Sequence, residues 1–106
     1  MTPLAPTRIG NTITFTSATT APAGVQCKAD GNMQATTYEL VNEGAQIAFF
    51  GSGASAAAAT AAAVLPPGAV WAVLPGAARY VTDAPNVFWS AITRSGTGVC
   101  DVTPVA

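Results

Sequence analysis

Short stretches in which apolar and polar residues alternate recur along most of the chain. In TITFTS, Ile13 and Phe15 alternate with threonines, and in TTYELVN, Tyr38 and Leu40 occupy alternate positions. Alternation with a period of two is typical of a β-strand that buries one face, because successive side chains point to opposite sides of a sheet. Both stretches are therefore predicted strands.

Further strands are predicted in the remainder of the chain. AQIAFFGSG follows the turn signal NEG and is the predicted hairpin partner of TTYELVN. Later segments, AVWAVLPG, ARYVT, NVFWSAIT and GVCDVTPV, are rich in β-branched or aromatic residues and are bounded by Gly, Pro, Asn or Asp. About seven to eight short strands separated by turns favour an all-β fold, either an antiparallel β-sandwich or a jelly-roll-like barrel.

The alanine-rich stretch GSGASAAAATAAAVLPPGAV interrupts this series of strands. Eight alanines lie between Ala54 and Val64, which is too short an apolar run to span a membrane. Alanine is the best helix former, Ser52 or Ser55 can cap the first turn, and the two following prolines end the segment. Because so short a helix needs tertiary contacts, we predict one short helix or turn over about 52–65, packed on a sheet. An ordered loop is the alternative.

The length of 106 residues is that of one domain. Since no long linker divides the sequence, we predict a single β domain over residues 1–106. Residues 1–11 are expected to form an extended N-terminal arm, because they precede the first predicted strand.

Few charged residues are available to cover the surface. Only 8% of the residues are charged, against about 25% in ordinary soluble domains. A surface this poor in charge favours association, so we expect other subunits to cover part of it. The net charge is −1, and the basic residues are scattered singly, as Arg8, Lys28, Arg79 and Arg94. That distribution argues against nucleic acid and anionic membranes as partners.

The N-terminal sequence lacks the apolar core of a signal peptide, so synthesis and folding in a cytoplasm are expected. In that reducing compartment Cys27 and Cys100 are predicted to be free thiols.

The remaining polar residues match no catalytic or metal-binding motif. The sequence contains no histidine, which rules out a histidine general base or triad. GSGAS at 51–55 differs from the nucleophile elbow at Ser55 and lacks the pattern of a phosphate loop. Asp30–Asn32 is typical of a turn rather than a calcium loop, and two cysteines do not complete a zinc site. A serine paired with Lys28 is the remaining catalytic alternative. We predict no enzyme, no catalytic residues, no cofactor and no metal.

The two tryptophans, Trp71 and Trp89, lie in separate predicted strands. Packing in a core or an interface is the favoured interpretation for both. A platform on which a sugar stacks is the alternative, although these strands carry few of the polar side chains that such a site needs.

The C-terminal two-thirds of the chain contains a recurrent series of segments. A strand ending in VNEG is followed by an apolar strand that closes in a glycine turn, then by the alanine-rich piece and LPPG. A final hairpin of the form SAIT-x-SGTG-x-x-x-VTP closes the series. Over Tyr38–Pro104 this series resembles small virion proteins of tailed bacteriophages, whereas residues 1–37 carry none of it.

That resemblance implies a noncatalytic structural role. It points to a head decoration, or cement, protein that binds the outside of the assembled capsid and stabilises contacts between major capsid subunits. The expected partners are then the major capsid protein and further copies of the chain, as a homotrimer, and the expected location is the capsid surface of the virion. A tail, fibre or head-to-tail connector component is one alternative. A virion-displayed module that binds carbohydrate or the host surface is another. No functional residue is implied by the resemblance.

Overall fold

Two four-stranded antiparallel sheets pack face to face in a computed structural model that describes residues 7–68 and 70–106. The first sheet has the order β1-β8-β3-β6 and the second the order β2-β7-β4-β5. The elements are β1 (Ile13–Ser17), β2 (Val25–Gln26), β3 (Thr37–Asn42), β4 (Ala48–Gly53), α1 (Ala56–Ala62), β5 (Trp71–Val73), β6 (Ala78–Thr82), β7 (Phe88–Ile92) and β8 (Gly98–Val105). The predicted all-β sandwich is confirmed.

The hairpins predicted around β4 and β8 are wrong, because the strands concerned belong to different sheets. β3 pairs with β6 and β8, while β4 pairs with β5 and β7. After β3 the segment NEG leads the chain from the first sheet to the second. At its start, Glu43 N–H still donates to the carbonyl of Val99 in β8 of the first sheet, at 2.9 Å. β7 and β8, the two arms of the SAIT…VTP segment, are likewise divided between the sheets. Strands on either side of such a crossing still bury one face in a common core, so their alternation is the same as in a hairpin.

Aromatic side chains from both sheets meet at the centre of the sandwich. Trp89 of the second sheet is fully buried, and its ring meets that of Tyr38, from the first sheet, edge to face at 5.2 Å between centroids. Phe50 lies 6.5 Å from Trp89 and 6.0 Å from Phe15. Edge-to-face packing of this kind adds about 0.5–1.5 kcal/mol per pair to the burial of the rings.

Two buried polar side chains fasten loops to this core. The Tyr38 hydroxyl lies 2.7 Å from the carbonyl of Ala35 and 2.8 Å from that of Ala84, and accepts a bond from Val87 N–H at 3.1 Å. Asn42 Nδ2, in the first sheet, donates to the carbonyl of Val73 in the second at 3.0 Å. Buried groups paired in this way avoid the cost of unsatisfied donors and acceptors.

The alanine-rich stretch forms the predicted helix, α1, on the outer face of the second sheet. Ser55 is the N-cap, and its Oγ accepts a bond from the N–H of Ala58 at 3.1 Å. Glycines of β4 lie directly beneath: a Cβ on Gly51 would lie 2.6 Å from Ala63 Cα. The helix rests on the backbone of β4 because neither element has bulky side chains at the contact.

Residues 7–10 run antiparallel to the end of β8. Thr7 and Ala106 exchange two backbone hydrogen bonds of 2.9 and 2.8 Å, and Ile9 N–H donates to the carbonyl of Pro104 at 2.9 Å. The first six residues of the predicted N-terminal arm, 1–11, lie outside the described residues. Residues 7–9 are bound along the end of β8, and Gly10 bridges Ala29.

Candidate functional site

The two outer faces of the sandwich differ in what lies over them. α1 packs on β4 and β7, whereas within the described ranges no helix packs on the first sheet. We call the outer surface of the first sheet the open face. It is formed by Thr12, Thr14, Thr16, Glu39, Val41, Ala78, Tyr80, Val99, Asp101 and Thr103. Most of these positions alternate with the buried residues of the same strands, so the sequence pattern alone places them outward, whereas Thr103 is itself buried.

Many polar groups of the open face are bonded to one another. Thr14 Oγ1 donates to Asp101 Oδ1 at 2.7 Å, and the hydroxyls of Thr12 and Thr103 lie 2.7 Å apart. Tyr80, which is half exposed, lies opposite Glu39 of β3, and the interaction with this carboxylate raises the pKa of the Tyr80 hydroxyl. The face therefore offers paired polar groups between exposed apolar patches.

Acidic groups also meet at one end of the open face. Glu43 follows β3 and lies beside Asp101 of β8, and a hydrogen bond and charge repulsion from Asp101 raise the pKa of the Glu43 carboxyl. None of the residues that define this face is a lysine or arginine, and the exposed Arg8 bridges Val105 at the other end of β8.

A cavity of about 490 Å³ opens at the edge of the sandwich where β5 and β6 lie. Its lining residues are Ser52, Ala62, Gly68, Val70, Trp71 and Asp83. Ser52 belongs to β4, Trp71 to β5 and Ala62 to the last turn of α1, while Asp83 follows β6. The cavity is therefore built from both sheets and the helix.

The polar wall of the cavity is a bonded pair. Ser52 Oγ donates to Asp83 Oδ2, and the backbone N–H of Ala84 donates to Asp83 Oδ1 at 2.7 Å. These two bonds fix the plane of the carboxylate. Each carboxylate oxygen has two lone pairs, so each retains one acceptor position for a further donor.

The aromatic wall of the cavity is Trp71, which is partly buried and packs against the core. The Arg79 guanidinium lies over this ring, 5.2 Å from its centroid, and its Nη1 donates to the carbonyl of Ala72 at 3.2 Å. Trp89, by contrast, has no exposed surface. The sugar-platform interpretation is therefore wrong for Trp89, whose ring is enclosed by the core. For Trp71, which lines the cavity, it stays a prediction.

Sequence reasoning found Trp71 but missed Ser52 and Asp83. Neither residue lies in a motif, and they are 31 positions apart in the chain. Their contact depends on how β4 and β6 are placed in opposite sheets, which local periodicity does not encode. An aspartate directly after a strand is also an ordinary turn signal.

The other residues singled out in the sequence form no reactive group. Cys27 and Cys100 are buried free thiols, and burial raises the pKa of Cys27 to about 12 and also raises that of Cys100. Lys28 is exposed, and in the described part of the chain no hydrogen bond joins it to a serine. Gly31 of the predicted 30–32 turn has a φ of 60°, which suits a tight turn.

Features that often identify a function do not identify one here. Across residues 7–68 and 70–106, no three His, Cys, Asp or Glu side chains are grouped so as to hold a metal ion. None of the helices in these ranges has the length and hydrophobicity needed to cross a membrane. Comparison with known proteins yields no matching family model, curated protein or solved structure. The open face and the Trp71 cavity are the two features from which a function can be argued.

Proposed function

We propose that the chain is a noncatalytic structural protein of a bacteriophage particle, which decorates the assembled capsid and strengthens contacts between major capsid subunits. The observation that carries this proposal is the resemblance of Tyr38–Pro104 to small virion proteins of tailed phages. These residues span nearly all of β3 to β8, including the helix. A β-sandwich is the fold that the resemblance implies for a decoration protein.

The open face is the proposed capsid-binding surface. Tyr80 and Val99 are 50% and 42% exposed and offer apolar area that water now covers. The hydroxyls of Thr12 and Thr14 already have partners on the same face. Burying polar groups that are paired costs much less than burying unpaired ones, so such a face suits an interface. Its carboxylates favour a partner surface that carries Lys or Arg.

Association with further copies of the chain, as a homotrimer, belongs to the same proposal. β1 and β6 each pair on one side within the first sheet, which leaves their outer edges as places where strands of a neighbour can add. Light scattering of the purified protein measures this directly. A monomer that forms no large interface in the particle would contradict the assembly proposal.

The central experiment compares particles assembled with and without this protein. Because a ligand of the assembled state raises the stability of that state, particles lacking the protein should release their genome at lower temperature or milder osmotic shock. The protein should also occupy many lattice positions in a reconstruction of the particle. A few copies at a single vertex would instead assign it to the tail or connector.

A pair of variants tests the assigned surface. Val99→Glu places a charge in the open face and should reduce occupancy on the capsid, since the new carboxylate must be buried among existing ones. Ala57→Glu places the same charge on the exposed side of α1 and should leave occupancy unchanged. Equal occupancy of both variants would move the contact to another surface. If particles that lack the protein are as stable as complete ones but do not adsorb to the host, the protein would instead have a display role.

A further inference from the structure

We propose that the cavity lined by Trp71, Ser52 and Asp83 binds a neutral sugar ring, such as a terminal pyranose of a glycan. The inference concerns the isolated domain and does not depend on a place in a phage particle. A cavity of about 490 Å³ is of the size that small-molecule sites have, and its walls combine an indole with a few convergent polar groups.

The hydrogen-bonding wall matches adjacent sugar hydroxyls. Asp83 presents one free acceptor position on each carboxylate oxygen, because Ser52 and the Ala84 N–H occupy the others. Two neighbouring hydroxyls of a pyranose can donate to these oxygens at the same time. Hydrogen bonds to a charged acceptor are about twice as strong as neutral ones, which gives this contact its specificity.

The aromatic wall provides the apolar contact that a sugar ring needs. Trp71 is partly buried in a strand and is held from outside by Arg79, so its orientation is set before a ligand arrives. The C–H groups on one side of a pyranose are apolar and pack on an indole ring. An aromatic residue adds large contact area with little loss of side-chain freedom.

The walls of the cavity disfavour anionic and purely apolar ligands. An anionic ligand would meet the carboxylate of Asp83. A purely apolar ligand would remove water from Ser52 and Asp83 without replacing its hydrogen bonds. A neutral polyhydroxylated ligand satisfies each of these groups.

In the experiment, the purified full chain is titrated with glucose, galactose, mannose and N-acetylglucosamine. Binding is detected by tryptophan fluorescence and by ligand-observed NMR. At least one neutral sugar should bind with a Kd of about 1 mM, as expected for so small a ligand. Glucuronate, which carries a carboxylate on the glucose scaffold, should bind about 10-fold more weakly than the best neutral sugar, because it meets the carboxylate of Asp83. Absence of binding by all four neutral sugars, or preference for glucuronate, overturns the proposal.

Variants then locate the site. Asp83→Asn keeps the shape of the carboxylate and should weaken binding by about 10-fold, as should Trp71→Ala. Asp30→Asn removes an exposed carboxylate from a distant turn, and Leu74→Ala shortens an exposed side chain after β5. Both controls should bind as the wild type does. Should Trp71→Ala fail to fold, Asp83→Asn decides, and unchanged affinity in that variant refutes the assignment. Loss of sugar binding would leave the capsid proposal intact, because particle stability is measured separately.

Discussion

Replacing Gly51 with alanine tests whether α1 rests on the backbone of β4. The new Cβ would lie 2.6 Å from Ala63 Cα, a separation at which the backbone after the helix must move. Gly51 does not have the positive φ seen at Gly31, so alanine meets no conformational penalty there. The steric conflict with the helix is therefore the main folded-state effect of Gly51→Ala.

The sign of the effect follows from two opposed contributions. Overpacking a filled contact costs about 1–3 kcal/mol. Alanine also restricts the unfolded chain, which by itself stabilises the folded state by about 0.4–1 kcal/mol. The expected net loss is about 1–2 kcal/mol in the free energy of unfolding. For a domain of this size that loss lowers the melting temperature by about 5–10 °C.

Urea unfolding followed by tryptophan fluorescence measures this loss, because Trp89 is fully buried in the folded state. Ala57→Gly provides the control, since it weakens the exposed side of the same helix by about 1 kcal/mol without touching β4. A Gly51→Ala protein as stable as the wild type, or more stable, would show that no helix lies on this strand. The steric reasoning would then be refuted.

Four further outcomes are expected. Tyr38→Phe should cost about 1–3 kcal/mol in urea unfolding, because it leaves the buried Val87 N–H without its acceptor; wild-type stability would contradict that bond. Cys27 and Cys100 should resist alkylation in the native protein and both react after unfolding, and rapid native labelling would contradict their burial. The raised pKa of Cys27 also makes stability depend on pH, because the thiol ionises at lower pH in the unfolded chain than in the folded protein. The free energy of unfolding should be highest below pH about 8.5 and should fall as the pH rises toward about 12. Cys27→Ala should make this fall smaller. Ser55→Ala should cost about 1 kcal/mol in the same urea assay through loss of the N-cap, and an unchanged midpoint would argue against the cap.

Local properties of the sequence were sufficient to locate the elements. β6 and β8 coincide with the predicted segments ARYVT and GVCDVTPV, because alternation and bounding turn residues are both local signals. The short helix or turn predicted over about 52–65 also followed from local chemistry, and of the two candidate caps, Ser52 and Ser55, the structure has Ser55. β2, with two residues, is too short to show any period and was not predicted.

Partners of each strand could not be predicted in the same way. TTYELVN has one inward face whether its neighbour is the next strand or one far along the chain, so the pattern cannot distinguish a hairpin from a crossing. The cavity was missed for the same reason. Trp71 is conspicuous by residue type, but Ser52 and Asp83 become neighbours through the packing of the two sheets.

The central position of β8 has a consequence for how the protein is made. β8 lies between β1 and β3, so neither of these strands has its main partner until the last strand has been synthesised. At about 5–20 residues per second, β1 waits about 4–16 s between its own synthesis and that of β8. A nascent chain stopped before Gly98 therefore lacks the strand that joins β1 to β3. The complete first sheet therefore forms only after translation of β8, and until then β3 can pair with β6 while both edges of β1 are open to pairing with other chains.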